Sequence, residues 1–260
     1  MAKIRFDTKV QFIKYKVLSE VARHAYKGDL NENLLVIAYK GTDDTLIGWE
    51  ENFNMIISFP VAAQVSAKEY MDIIAETYPK AHYYLTGHSK GGNLAIYAGF
   101  YVEPCVQNKI VRIYNFDGPG FEKDDIDQEK YFRVKNKIKT VVPVNSIIGM
   151  IFEQLGSFKA VKSLVKPIYQ HDGFMWEVDC NRFARTTISK TSSQFSEDLN
   201  NLVAQLNEEE RRSFCNSLEK YIDELGIKTL TEALSLKTKS IKALKVFTKK
   251  DREIFINFVK

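Results

Sequence analysis

Ser89 lies at the centre of Gly87-His88-Ser89-Lys90-Gly91, where a glycine stands two residues away on either side of a hydroxyl. The apolar segment 82–86 precedes this turn, and residues 93–102 follow it with the pattern of a helix. A serine on a sharp strand-to-helix turn presents its hydroxyl at the end of a sheet, as the nucleophile of an acyl transfer must. The spacing therefore predicts Ser89 as a nucleophile. It also predicts that the backbone N–H of Lys90 stabilises a developing oxyanion.

A glycine-rich turn of this kind also suits phosphate, which binds at the N-terminus of the helix that follows. A Walker-type phosphate loop requires Lys followed by Ser or Thr after its last glycine. In this chain Gly92 is followed by Asn93 and Leu94. Phosphate binding is therefore the weaker interpretation of the turn.

A serine nucleophile needs a base, and near neutral pH this is usually a histidine held by an acidic group. The position of His88 beside the nucleophile directs its side chain away from the hydroxyl, and we interpret His24 and His82 as structural. His171, in the polar loop 169–173, comes after the acid candidates in chain order. We predict His171 as the base, with a plain surface-loop residue as the alternative.

The elements that must position these residues alternate along the chain. Short apolar runs bounded by polar turns predict strands at 34–39, 82–86, 110–116 and 139–144. Helical periodicity predicts helices at 11–26, 66–78 and 93–102, the second beginning at a capping-box pattern of Ser66 and Glu69. This alternation predicts an α/β fold with a mostly parallel sheet and helices on both faces.

The same residues carry a family resemblance over about residues 33–180. The segment 86–95 resembles the nucleophile segment of the class three (triacylglycerol) lipases, and Tyr39-Lys40-Gly41-Thr42 with Trp49 resembles their upstream segment. The segment 115–121, and Gln170-His171-Asp172 with Trp176, are similar to a bacterial family of uncharacterised lipase-like α/β-hydrolases. The resemblance implies an α/β-hydrolase-like core. It also implies that Thr42 contributes to an oxyanion hole, although 41–44 also has the composition of an ordinary turn.

Two residues compete for the acid that would hold His171. The resemblance places the acid at Asn145, and an amide there supplies no negative charge. Asp117 ends the strand that follows the nucleophile, and some α/β-hydrolases carry the acid at that point. Aspartate is equally common as the organiser of a turn such as Gly118-Pro119-Gly120. Asn52, where relatives have Asp, is a second departure from the family pattern.

From residue 193 onward the pattern is helical throughout. Amphipathic segments occupy 196–206, 208–225 and 230–247, and Gly226 takes the position of a helix C-terminal glycine. We therefore expect an α/β-hydrolase-like core at 1–192 and a helical C-terminal extension at 193–260, packed on the same domain. The apolar segment 146–165 has near-helical spacing and is interpreted as a core helix, or alternatively as a lid or acyl-chain wall.

Composition excludes disordered and fibrous classes, with 45% hydrophobic and 27% charged residues. Cys105, Cys180 and Cys215 are far apart and odd in number, which favours a reducing cytoplasm. The chain contains neither a signal-peptide pattern at its start nor the roughly 20 apolar residues of a spanning helix. We therefore expect a cytoplasmic protein.

The expected reaction is hydrolysis of a carboxylic ester, either a lipid or a short acyl ester, through an acyl-serine intermediate and without a metal or organic cofactor. Asn145 and Asn52 motivate an alternative, a catalytically weak or inactive hydrolase-like binding protein. Residues 228–260, with nine Lys/Arg against three Asp/Glu, motivate a membrane-surface or nucleic-acid adaptor. A solvated helix face explains this basic segment more simply, so no nucleic-acid partner is expected, while peripheral membrane contact stays open.

Overall fold

The structure is a computed structural model that describes residues 34–41, 54–180, 182–226 and 247–251. The predicted helix at 11–26, nearly all of the one at 230–247, and Thr42, Trp49 and Asn52 lie outside these residues. No helix among the described residues is long and apolar enough to cross a membrane.

A six-stranded, mostly parallel sheet forms the centre of the fold. Its strands are β1 (Leu34–Tyr39), β2 (His82–His88), β3 (Ile110–Phe116), β4 (Ile138–Pro143) and β5 (Ser157–Val161). These five are parallel and lie side by side in chain order. A hairpin of β6 (Val178–Asp179) and β7 (Arg182–Phe183) follows, and β8 (Arg185–Thr186) pairs antiparallel with β5.

Helices flank this sheet, namely α1 (Ala62–Thr77), α2 (Lys90–Tyr101), α3 (Pro104–Lys109) and α4 (Gln128–Val134). The helices α5 (Lys190–Ala204) and α6 (Glu208–Glu224) follow along the chain. The predicted α/β class with a mostly parallel sheet is confirmed. Four parallel strands were predicted, and the structure adds β5 beside β4 and the antiparallel β8 at the edge.

The two faces of the sheet are covered differently because side chains alternate along each strand. Gly99 of α2 lies directly over Leu85 and Ile113 on one face. The opposite face carries an aromatic cluster that includes Phe116, whose ring centroid lies 6.3 Å from that of Trp176. The indole N–H of Trp176 donates to the carbonyl of Gln170 at 2.7 Å. The core therefore anchors the loop that carries His171.

At the start of α1, tertiary contacts outweigh the local capping pattern of the sequence. The capping-box prediction at Ser66 is wrong, because α1 begins four residues earlier, at Ala62, and Ser66 is exposed within the helix. Gln64 in that additional turn is buried and donates to the side chain of Asn93 in α2 at 2.9 Å. Packing against α2 therefore extends α1 beyond the point at which a local cap would start it.

The helical interpretation of residues 146–165 is also wrong. This segment contains one 3-10 turn, Ile148–Met150, and strand β5, which pairs with β4. An apolar run of this length fits a helix or a buried strand equally well by periodicity. The hydrogen bonds offered by the edge of β4 decide between them.

The chain divides into two compact units, residues 1–41 with 62–193, and residues 42–61 with 194–260. The expected boundary at 192 lies next to this division, whereas no sequence pattern indicated that 42–61 belongs with the second unit. Within that unit, the ring of Tyr221 in α6 packs edge-on against Phe247 at 5.5 Å. Gly226 has a φ of 64°, which confirms the predicted helix C-terminal glycine. The packing of the extension on the same domain stays a prediction.

Candidate active site

Ser89 stands between β2 and α2 in the strand-turn-helix context that its sequence predicts. It has a φ of 56° and a ψ of −136°, a conformation that is strained for a residue with a side chain. A Cβ on Gly87 would collide with the backbone of Gly91, so the turn closes only because residue 87 is glycine. The chain holds Ser89 in this unfavourable conformation at the carboxyl end of a central strand, which is where ligands bind in open α/β sheets.

The surroundings of Ser89 on the amino side of α2 suit a developing negative charge. Lys90 is the first residue of α2, so its backbone N–H lies at the positive end of the helix. The loop after β1 touches the same turn, because a Cβ on Gly41 would collide with the carbonyl oxygen of His88. Thr42 follows Gly41 but lies outside the described residues, so its oxyanion role stays a prediction.

Asp117 follows β3, next to the nucleophile turn. The N–H of Ser89 donates to the carbonyl of Phe116 at 2.9 Å, and the N–H of Asp117 donates to the carbonyl of Val141 at 2.9 Å. The Gly118 turn is organised by Asn115, whose side-chain oxygen accepts the Gly118 N–H at 2.9 Å. The carboxylate of Asp117 is therefore not the organiser of that turn, and it is buried with 1% of the residue exposed.

His171 meets that buried carboxylate. Its Nδ1 lies 2.8 Å from Oδ2 of Asp117. A carboxylate only accepts hydrogen bonds, so Nδ1 carries the proton and Nε2 keeps a lone pair. The His171 side chain remains 23% exposed, which leaves the imidazole accessible from one side. The pair can thus accept a proton at Nε2 and stabilise the resulting imidazolium.

His88 connects the base to the nucleophile turn. Its ring centroid lies 4.6 Å from that of His171, and its Nε2 donates to the backbone carbonyl of His171 at 2.7 Å. Burial, together with the nearby His171, lowers the pKa of His88 to about 4. His88 is therefore neutral at pH 7. Its contacts place the base loop beside the residue that precedes Ser89, so the structure gathers Ser89, Asp117 and His171 at one edge of the sheet.

Asn145, the acid position implied by the resemblance, does not hold the imidazole. Its backbone N–H and its side-chain amide donate to Oε1 of Gln170 at 3.0 and 3.3 Å. Gln170 is buried and donates in turn to the carbonyl of Val165 at 2.8 Å. Asn145 therefore supports the residue before His171, because the carboxylate of Asp117 already occupies Nδ1.

Three contributors to this site were missed at the level of sequence: Ser146, Gln170 and the ring of His88. The hydroxyl of Ser146 donates to Oδ1 of Asp117. One signal for Ser146 was present, because polar residues that follow consecutive parallel strands converge at the same edge of the sheet. Gln170 and His88 act through hydrogen bonds that involve backbone carbonyls and an amide. The spacing of residues along the sequence does not predict contacts of this kind.

Among the described residues, no group of three or more His, Cys, Asp or Glu side chains is arranged to hold a metal ion.

Comparison with known proteins identifies a family for this chain. No curated protein matches the chain. A family model described as Mbeg1-like matches residues 3–220, which include Ser89, Asp117 and His171. The chain therefore belongs to the Mbeg1-like family.

Proposed function

We propose that the protein hydrolyses carboxylic esters, with Ser89 as the nucleophile, His171 as the general base and Asp117 as the acid. The observation that carries this proposal is the 2.8 Å contact between His171 Nδ1 and the buried carboxylate of Asp117, beside a serine with a φ of 56°. A serine, a histidine and a carboxylate gathered in these roles are the recurring solution to acyl transfer on unrelated folds.

In the proposed reaction, Oγ of Ser89 attacks the ester carbonyl while Nε2 of His171 takes the hydroxyl proton. Asp117 stays ionised and stabilises the imidazolium through Nδ1. The backbone N–H of Lys90, together with Thr42 as the resemblance implies, stabilises the oxyanion. The imidazolium then gives its proton to the leaving alkoxide. Water, deprotonated by His171, hydrolyses the acyl-serine and restores the hydroxyl.

The alternative of an inactive binding protein loses its main support. It was motivated by an amide at the acid position, and Asn145 is engaged with Gln170 while a carboxylate contacts the base.

The substrate class, a lipid or short acyl ester, is carried over from the class three lipase resemblance. A cytoplasmic location is proposed from the cysteine usage.

A fluorophosphonate probe tests the proposal because it bonds covalently to an activated serine. We expect the probe to label the wild type and not Ser89→Ala. We also expect the wild type to hydrolyse p-nitrophenyl butyrate and Ser89→Ala to be inactive on it. Ser163→Ala is a control, since that hydroxyl donates to the backbone carbonyl of Met175 at 2.7 Å rather than to Asp117 or His171. Labelling of the wild type no greater than that of Ser89→Ala would refute the proposal.

A further inference from the structure

The turn that follows β4 contacts both halves of the acid–base pair. On one side, the hydroxyl of Ser146 donates to Oδ1 of Asp117. On the other, Asn145 donates twice to Gln170, the residue that precedes His171. Two consecutive residues thus contact the carboxylate at the end of β3 and the loop that carries the imidazole.

The carboxylate of Asp117 divides its two oxygens between these partners. Oδ2 faces Nδ1 of His171, and Oδ1 faces Ser146. Both Asp117 and Ser146 are 1% exposed, so bulk water does not substitute for either donor. A buried carboxylate is costly unless donors surround it, and the Ser146 hydroxyl supplies one such donor to Oδ1.

Gly149 shows how closely the chain packs at this point. A Cβ on Gly149 would collide with Oδ1 of Asp117 and crowd the hydroxyl of Ser146. The 3-10 turn that begins at Ile148 therefore lies directly against the hydrogen bond between Ser146 and this carboxylate. The position of Ser146 thus determines where Oδ1 points.

We propose that Ser146 is a positioning residue, whose hydroxyl fixes the orientation of Asp117 so that Oδ2 holds His171 in the reactive tautomer. This inference rests on the proposed function, because it assigns Ser146 a part in the same hydrolysis. Ser146 acts through Asp117 and contacts no reacting atom.

The experiment compares wild type with Ser146→Ala on p-nitrophenyl butyrate across pH. A hydrogen bond to a charged group, if expressed mainly in the transition state, corresponds to a fall of about 10- to 100-fold in kcat with KM nearly unchanged. The acid limb of the kcat/KM profile should also move to lower pH, because a carboxylate that no longer faces Nδ1 stabilises the imidazolium of His171 less.

Ser217→Ala is the matched control. The Ser217 hydroxyl also donates to a buried aspartate, Asp251, at 2.8 Å, and Ser217 is 5% exposed. It reproduces the loss of a buried serine-to-carboxylate hydrogen bond in the other compact unit. We expect it to lower thermal stability and to leave kcat and the pH profile unchanged. Ser146→Thr, which retains the hydroxyl, should recover most of the lost kcat if it folds.

Proton NMR separates this inference from the proposed function. The low-field Nδ1–H resonance of His171, assigned by its loss in His171→Ala, should shift in Ser146→Ala and stay in place in Ser217→Ala. An unchanged resonance and an unchanged pH profile in Ser146→Ala would overturn the positioning role, whatever the loss of stability. If wild type is not labelled by the fluorophosphonate but the resonance moves in Ser146→Ala alone, the positioning contact stands and the hydrolase proposal falls.

Discussion

Two aspartates in this chain are almost equally buried and have very different neighbours. Asp117 and Asp251 are 1% and 2% exposed. Asp251 directs Oδ2 at three hydroxyls, those of Ser213, Ser217 and Thr248, at 2.9, 2.8 and 2.7 Å. Asp117 directs one oxygen at a hydroxyl and the other at the imidazole of His171.

The difference lies in what the neighbours can do near neutral pH. The hydroxyl groups around Asp251 donate hydrogen bonds and do not titrate near neutral pH. The nearby Cys215 thiol does not titrate there either, because burial raises its pKa to about 12. The hydroxyl of Thr248 also accepts the N–H of Asp251 at 3.1 Å, in the manner of a helix cap. The Asp251 cluster is therefore suited to holding chain segments together. The Asp117 cluster instead pairs the carboxylate with a partly exposed imidazole, a group that can both donate and accept a proton.

The largest expected effect comes from removing the charge of Asp117. Asp117→Asn keeps the shape of the side chain, but an amide favours the wrong tautomer of His171. We expect kcat for p-nitrophenyl butyrate to fall by about 10⁴-fold. A fall of tenfold or less would indicate that Asp117 does not act as the acid.

The double variant Asp117→Asn with Asn145→Asp tests whether a carboxylate at residue 145 can replace Asp117 as the acid. The side chain at 145 is directed at Gln170, so a carboxylate there should not restore kcat. Recovery of turnover in the double variant would show that either strand end can supply the acid.

Asp251→Asn should have the opposite phenotype. It replaces an acceptor of three hydroxyl donors by an amide, and we expect the free energy of unfolding to fall by about 1–3 kcal/mol. Denaturant unfolding measures this loss, and kcat of the folded fraction should not change. A drop in kcat like that of Asp117→Asn would contradict the distinction between the two clusters.

The smallest effect is a pH dependence that arises at His88, whose ring packs against the imidazole of His171 in the Asp117 cluster. Burial and the nearby His171 lower the pKa of His88 from its ordinary value of 6.5 to about 4, with Asp117 and Asp172 opposing the shift. The unfolded chain therefore binds more protons than the folded chain between those values, so stability is lost as pH falls through this window. The contribution of His88 should fall by about 1 kcal/mol between pH 6 and pH 5.

His88→Gln tests this dependence, since an amide N–H can still donate to the carbonyl of His171. The slope of unfolding free energy against pH should flatten between pH 6.5 and 4, as measured by denaturant unfolding at several pH values. An identical slope in the wild type and His88→Gln would assign the acid sensitivity to other groups.

The sheet was largely predictable because its strands are short apolar runs with polar ends. β1 and β3 have the predicted limits, and β2 and β4 differ by one or two residues at their ends. β5 was mistaken for part of a helix, because its pairing with β4 is a contact between distant segments. The start of α5 at Lys190 was missed as well, although Ser189 accepts the N–H of Ser192 at 3.2 Å and caps the helix.

The sequence by itself determined the turn at Ser89. Glycines two residues on either side, an apolar strand before and a helix after are local features, and local backbone sterics translate them into a strained elbow. The sequence also narrowed the base to His171. It left the acid open, because both candidates end parallel strands and either could reach the same edge.

Tertiary structure alone decided between Asp117 and Asn145. The contact between Asp117 and His171 joins residues 54 positions apart, and it depends on how the loop that carries Trp176 packs against the sheet. The same packing turns Asn145 toward Gln170 and Ser146 toward Asp117. Local sterics fix a turn from a few neighbouring residues, whereas a hydrogen bond across the fold exists only after the core has brought its donor and acceptor together.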